Sequence, residues 1–279
     1  MTQGASARPW RTVVAADLHL TPSDTQGLAR MGALLAMASE RAQRLLLLGD
    51  LFDLWLTGAE RGVPQFASLF SALRAARAAG CSIEFIPGNR DYNFTRADGA
   101  ALGIDVAADE ELDAEFAGRK TRFLHGDQLL TDDHGYQFMK RLVRSGVVRW
   151  LTRRLPPTLP LAIGRRLRRY SDRAVPRKSN HAVRIVPEAV AARVAAGSQL
   201  VVCGHVHRFE RRLLPGGGEL LVVPPFCDDG AYLVELRGGA PGELWRGGPD
   251  GRLELLPAAV AAAGATPAAT SAGGGLPLP

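Results

Sequence analysis

The stretch Val13-Val14-Ala15-Ala16-Asp17-Leu18-His19-Leu20 governs how the rest of the chain reads. A short apolar run of buried-strand character stops abruptly at an Asp and a His two residues apart. Side chains at i and i+2 of a strand project to one side, so both would stand at the mouth of a sheet. Alone, a D-x-H is weak, because the pair recurs by chance in many chains.

Four more stretches repeat the arrangement: strand-like residues, then glycine among ligand-type side chains. They are Leu45-Leu-Leu-Leu-Gly-Asp50 with Asp53 beyond it, Ile83-Glu-Phe-Ile-Pro-Gly-Asn89-Arg90-Asp91, Phe123-Leu-His125-Gly-Asp127, and Leu200-Val-Val-Cys-Gly-His205-Val-His207. With the first stretch they hold four of the six histidines. Each alone reads as a satisfied Asp or His at a strand end; five in one chain make that reading poor.

Between these strands lie helical patterns. Thr12 to Ala16, Leu45 to Leu48 and Ser82 to Ile86 read as strands, and Gly27 to Ala42 and Pro64 to Ala79 as helices. That alternation predicts a parallel sheet with helices on its faces and ligands at the carboxyl ends of the strands. Further on, the pattern predicts a short helix Arg96 to Leu102 and a hairpin Glu115 to Leu124. Asp132 to Leu151 reads as one basic amphipathic helix capped by Asp132 or Asp133. After the uncharged, proline-bearing run Leu155 to Gly164 comes a second basic helix, Arg165 to Arg173. A helix Pro187 to Ala196, a strand Leu200 to Val202, a hairpin around Gly216 to Gly218, and strands Ala231 to Leu236 and Leu253 to Leu256 complete the pattern. From Pro257 the Ala, Gly and Pro composition predicts a flexible tail.

Composition bounds the function. The chain is 46% hydrophobic and 22% charged, with formal charge +6. Lys140 to Arg184 holds fourteen Lys or Arg against one acid, Asp172, a net +13, so the remainder carries −7. An acidic body therefore bears one strongly basic segment. Cys81, Cys203 and Cys227 show no C-x-x-C spacing, which fits a reducing compartment better than a disulfide scaffold. Met1 to Arg11 has no apolar signal region, and no run approaches the ~20 apolar residues of a membrane span, so any membrane contact is expected to be peripheral.

Hydrolysis of a phosphate ester or anhydride needs charge neutralisation and a hydroxide at neutral pH, which two divalent ions roughly 3.5–4 Å apart supply. The motifs offer Asp17, His19, Asp50, Asn89, His125, His205 and His207, with Asp50 the natural bridge. Imidazole and carboxylate with no thiolate among them suit Mn²⁺, Fe or Zn²⁺ over Ca²⁺.

The ordered motifs resemble those of the calcineurin-like metallophosphoesterase superfamily: D-x-H, G-D-x-x-D, G-N-H-[DE], a His motif such as H-G-D, and G-H-x-H. The likeness spans about residues 11 to 237. Arg90 stands where most members have His, and G-N-R-D with H-G-D is similar to the branch that hydrolyses UDP-2,3-diacylglucosamine in lipid A synthesis. The resemblance implies an α/β fold, a β-sandwich flanked by helices (αββα), over residues 10–256. It implies a basic helical cap inserted at about 132–185, leaving 257–279 as tail. It also implies two divalent ions, expected to be Mn²⁺. Asp17, His19, Asp50 and His207 would hold one, and Asp50, Asn89, His125 and His205 the other.

In the same reading Asn89, Arg90 and His205 are catalytic. Substrate would meet Asn89, Arg90, Asp133, Tyr136, Arg168, Ser171, Lys178 and His205. Asp133 and Tyr136 match a D-x-x-Y after H-G-D, and Arg168, Ser171 and Lys178 match the cap's R-x-x-S and K-S. Asp53, Asp91 and Asp127 would orient ligands and loops, with Asp53 and Asp127 equally readable as caps or turn residues. Arg90 cannot act as an acid near neutral pH but can fork phosphate oxygens, which suits an anhydride whose UMP leaving group needs little protonation. Two departures stand out: Val175 replaces an expected polar contact, and Pro224-Pro-Phe-Cys-Asp228 stands where the branch has Gly-Asp-Trp. The expected partners are an acylated UDP-sugar and the anionic cytoplasmic face of the inner membrane. The alternative is another nucleotide or phosphoester substrate. No nucleic acid is expected, since the basic segment has no aromatic platform beyond Trp150 and Tyr170.

Overall fold

Strand β1 is Trp10–Ala15, and its residues from Thr12 onward are all buried. A strand covered on both faces reads as a continuous apolar run rather than an alternating one. The chain is described here by a computed structural model over residues 8–156, 184–214 and 217–261, with 159, 162, 163 and 166. Helix α1 is Thr25–Arg41, opened by the Asp24 side chain accepting from the Gly27 amide. Then follow β2 Ala42–Leu48, α2 Ala67–Ala78, β3 Ser82–Ile86, α3 Arg96–Leu102 and β4 Asp105–Val106. A hairpin of β5 Glu111–Phe116 and β6 Arg119–Leu124 comes next. Helices α4 His134–Val143, α5 Gly146–Arg154 and α6 Pro187–Ala195 precede β7 Leu200–Cys203, β8 Glu210–Leu213 and β9 Glu219–Val222. The short α7 Phe226–Asp229 leads to β10 Tyr232–Leu236, β11 Trp245–Gly247, β12 Leu253–Leu255 and β13 Val260–Ala261.

Two sheets result, ordered β12-β11-β10-β1-β2-β3-β4 and β13-β8-β9-β7-β6-β5. The pairs β1/β2, β2/β3, β6/β7 and β7/β9 are parallel. Period-2 alternation gives each central strand two buried faces. Val14, Leu46 and Leu48 meet Phe123, Val202 and Leu221 between the sheets. Val13, Leu45, Leu47 and Phe85 turn outward against Met31, Leu34 and Leu35 of α1 and Leu69, Phe70 and Leu73 of α2. On the far side Val201, Leu220 and Val222 pack on Ala189 and Val190 of α6. The layers are therefore helix, sheet, sheet, helix, the αββα arrangement expected. No helix among the described residues is long and apolar enough to cross a membrane.

Two expectations change and one is narrowed. The single helix Asp132 to Leu151 is two, because Ser145 turns extended (φ −60, ψ 145) and its hydroxyl accepts from the Val148 amide to start α5. Of the two proposed caps, Asp133 is the one used. The stretch read as tail from Pro257 includes β13, which pairs parallel with β8 at Arg212 and Leu213. The expected second basic helix, apart from Arg166, and half of Leu155 to Gly164 lie outside the described residues.

Candidate metal centre

Five strands end on one rim and hand over the motif residues. Asp17 and His19 follow β1, Asp50 follows β2, Asn89 and Arg90 follow β3, His125 follows β6, and His205 and His207 follow β7. The loops interlock through backbone bonds: His19 N donates to Asp50 O (2.8 Å) and Gly204 N to His125 O (2.8 Å). Six described non-glycine residues have positive φ, and five of them are Asp17, His19, Asp50, His205 and His207. This left-handed conformation costs a side-chain-bearing residue on the order of 1–3 kcal/mol and persists only where the surroundings over-determine it. Glycines in the same loops make room for the ligand side chains. A Cβ on Gly204 would lie 2.6 Å from Asp17 Oδ2, and one on Gly88 would collide with Asp50 Oδ1.

The side chains fall into two groups sharing one carboxylate. Asp50 Oδ1 lies 3.6 Å from His125 Nε2, and Asp50 Oδ2 lies 3.9 Å from His19 Nε2. On one side, His125 Nε2 is 2.9 Å from Asn89 Oδ1 and 3.0 Å from His205 Nδ1. On the other, His19 Nε2 is 3.0 Å from His207 Nε2, which is 3.8 Å from Asp17 Oδ1. Donor atoms of Asp50, His125 and His205, and of Asp17, His19 and Asp50, each lie within 4.8 Å of one another. All seven residues expected from the motifs are thus gathered in one place.

These residues fit a pair of divalent cations. The His125 ring keeps one N–H on Leu48 O (2.9 Å), so a neutral ring turns a bare Nε2 toward the Asn89 oxygen. Such a pair of acceptors is satisfied by a proton on Nε2 in the metal-free protein and by a cation in its place. Asp17 Oδ1 is buried with no hydrogen-bond partner. Burial pushes the Asp17 carboxyl up to about 7, against the pull of His125. Burial also works against a charged His125, but Asp50, Asp17 and Asp127 outweigh it and raise its pKa. Burial holds His19 down to about 4 and His205 down to about 3, leaving both rings neutral and able to donate lone pairs. The set is two carboxylates, one amide and four imidazoles, nitrogen and oxygen donors of the kind transition ions take.

Around the pocket the supports are identifiable. Asp91 accepts from the amides of Gly88 (2.8 Å), Asp50 (3.3 Å) and Phe52 (3.2 Å), tying the β2 and β3 loops together. Buried Asp127 accepts from Tyr136 Oη (2.7 Å) and pairs with Lys140 Nζ (3.1 Å) and Arg144 (3.5 Å). Lys140 and Arg144 also reach Glu110, and Arg144 donates to Gly88 O (3.0 Å), so α4 is tied to the loop that carries Asn89 and Arg90. Burial lowers the pKa of both His19 and His207, and the nearby Arg90 guanidinium adds a smaller push in the same direction. Asp133 caps α4 by accepting from Tyr136 N (3.0 Å). Arg168, Ser171 and Lys178 lie outside the described residues.

Sequence reasoning missed Lys140 and Arg144 as supports, since both read as part of a basic face. It also missed Cys227, whose sulfur lies within 4.8 Å of donor atoms of His19 and His207. The only local hint was that it falls in the divergent Pro224 to Asp228 stretch.

No protein-family profile matches the chain. A UDP-2,3-diacylglucosamine hydrolase of Edwardsiella ictaluri is 34% identical over 201 residues, covering 71% of this chain and 76% of the relative. One from Pseudomonas putida is 33% identical over 197 residues, covering 70% and 81% respectively. Among solved structures, a dimetal phosphatase from Danio rerio aligns at 14% identity with a TM-score of 0.46, over 86% of this chain and 96% of that one. On its likeness to those curated relatives, the chain belongs to the UDP-2,3-diacylglucosamine hydrolase family.

Proposed function

We propose that this protein hydrolyses the diphosphate of UDP-2,3-diacylglucosamine, giving UMP and 2,3-diacylglucosamine 1-phosphate. The observation that carries the reading is Asp50, with one oxygen toward His125 and the other toward His19. Asp17, His19, Asp50 and His207 would hold one divalent ion, and Asp50, Asn89, His125 and His205 the other, with Mn²⁺ as the proposed metal. Such ions neutralise phosphoryl oxygens and lower the pKa of a water, which is the chemistry the reaction needs. The hydrogen bond to Leu48 O fixes the His125 ring so that Nε2 faces the site. Arg90 supplies a guanidinium fork for diphosphate oxygens and cannot serve as an acid. UMP departs as a weak base, so no proton donor is required at the leaving oxygen. Asn89 and His205 lie beside Arg90's loop and Tyr136 respectively and would meet the phosphates.

The segment from Asp133 onward would act as a cap. Phe138, Met139, Leu142, Val147, Trp150 and Leu151 are exposed on α4 and α5. Exposed apolar groups interleaved with Lys and Arg suit acyl chains and an anionic membrane surface, here the cytoplasmic face of the inner membrane. Asp133, Tyr136, Arg168, Ser171 and Lys178 would bind the sugar phosphate. The test is product analysis with purified protein, Mn²⁺ and the diacylated UDP-sugar, beside an aryl phosphate and a simple nucleotide. UMP release from the acylated substrate, lost on chelation and in Asp50→Ala, is expected. Turnover of the nucleotide or aryl phosphate alone would assign a different substrate class.

A further inference from the structure

The divergent stretch Pro224 to Asp228 brings a thiol to the metal centre. Phe226 N donates to Ala16 O (2.9 Å) and Cys227 N to Asp17 O (3.1 Å), so the backbone of Cys227 is fastened to the Asp17 loop. From the other side Arg30 donates to Cys227 O (2.8 Å) and Asp228 O (2.9 Å). The Phe226 ring is buried in the core and anchors the turn. These ties hold the Cys227 sulfur within 4.8 Å of donor atoms of both His19 and His207. The thiol is half-buried and makes one long hydrogen bond, to the exposed Asp228 carboxylate (3.5 Å). Nothing strong holds it away from the two imidazoles.

We infer that Cys227 is a further donor to the ion held by His19 and His207, giving that position a preference for thiophilic ions such as Zn²⁺ or Co²⁺ over Mn²⁺. The inference rests on the two-ion reading above and changes its proposed metal at this one position. Two imidazoles and a thiolate form the donor set of zinc-type sites, whereas Mn²⁺ favours oxygen. The position facing Asn89 and His205 gains no sulfur and keeps its mixed nitrogen and oxygen character. On coordination the thiol proton leaves to solvent and the sulfur lone pair goes to the ion, with no change of oxidation state.

Cobalt makes the two readings separable. Metal-free protein titrated with Co²⁺ should show ligand-field bands in the visible, whichever nitrogen and oxygen donors bind. Wild type should also show a sulfur-to-cobalt charge-transfer band in the near ultraviolet, absent from Cys227→Ser. Cys81 and Cys203 remain in that variant and serve as internal controls. In competition, wild type should favour Zn²⁺ over Mn²⁺ by about ten-fold more than Cys227→Ser does. Visible bands without the charge-transfer band, or with a band that persists in Cys227→Ser, would overturn the inference and leave the metal centre standing. Absence of visible bands from both proteins would overturn the metal centre and the inference with it.

Discussion

His207 sits at φ 48 on the exposed lip of the site, with the backbone twisted to aim its ring inward. A side chain there is tolerated for what it does rather than for stability. His207→Gly and His207→Ala both delete the imidazole, but only glycine relaxes the left-handed conformation. The glycine variant should therefore be the more stable of the two without metal, by about 1 kcal/mol in urea unfolding. Equal stability would mean the φ is not strained. Asp17 gives a second test. With its carboxyl held up to about 7 by burial, metal-free protein at pH 6 keeps that proton, and an ion must displace it. His125, raised by its carboxylate neighbours against burial, should release a proton too, while His19 and His205 are already neutral. Calorimetric binding enthalpies at pH 6 should depend on the buffer's ionisation enthalpy, and affinity should climb as pH approaches 7. Buffer-independent enthalpies would contradict this. The same shift has a folding consequence. Between the ordinary 3.8 and about 7 only the folded state holds the Asp17 proton, so this group makes the metal-free fold less stable as pH rises through that window.

Helix α4 acts on the site through one side chain. Arg144 bonds Gly88 O, just ahead of Asn89 and Arg90, while also pairing with Glu110 and Asp127. Arg144→Ala should cost about 2 kcal/mol of stability, the scale of hydrogen bonds to charged groups, and lower kcat with metal stoichiometry unchanged. Arg144→Lys should not restore the rate, because a point charge cannot span Gly88 O and Glu110 together. Unaltered kcat in both variants would show that α4 only rests on the loop. Elements like this mark the limit of what the residues announce. The five motif strands were legible because strand-like residues end in ligand-type side chains, four times with a glycine beside them, and every such run became a strand. The break at Ser145 was hidden because apolar spacing continues on both sides of it. Strands β4 and β13, of two residues each, carry no periodicity of their own. Cys227 reaches His19 through long-range backbone ties, the bridge of Ala16 to Pro225 and the bond of Cys227 N to Asp17 O among them, which no local pattern encodes.

At the scale of the whole molecule, the basic segment leaves and rejoins the body at one point. Val186 N donates to Leu129 O (2.9 Å), and Leu129, Leu130, Ile185 and Val186 share a buried cluster under α6. The segment between can therefore be excised without stretching the sandwich. The division of labour proposed for it then becomes testable: the rim residues would work on the diphosphate, and the segment would bind sugar phosphate and acyl chains. Joining Thr131 to Val186 by a short glycine linker leaves Asp127 without Tyr136, Lys140 and Arg144, so a second variant should add Asp127→Asn to remove the stranded charge. In whichever variant folds and loads metal, hydrolysis of a small activated phosphodiester should persist at the lowered rate expected once Arg144 no longer holds Gly88 O. Hydrolysis of the diacylated substrate should fall by about two orders of magnitude or more, because binding energy from remote parts of a substrate is what drives its reaction. Equal loss on both substrates in a folded, metal-loaded variant would reject the division. Equal retention on both would leave the basic segment no part in choosing the substrate.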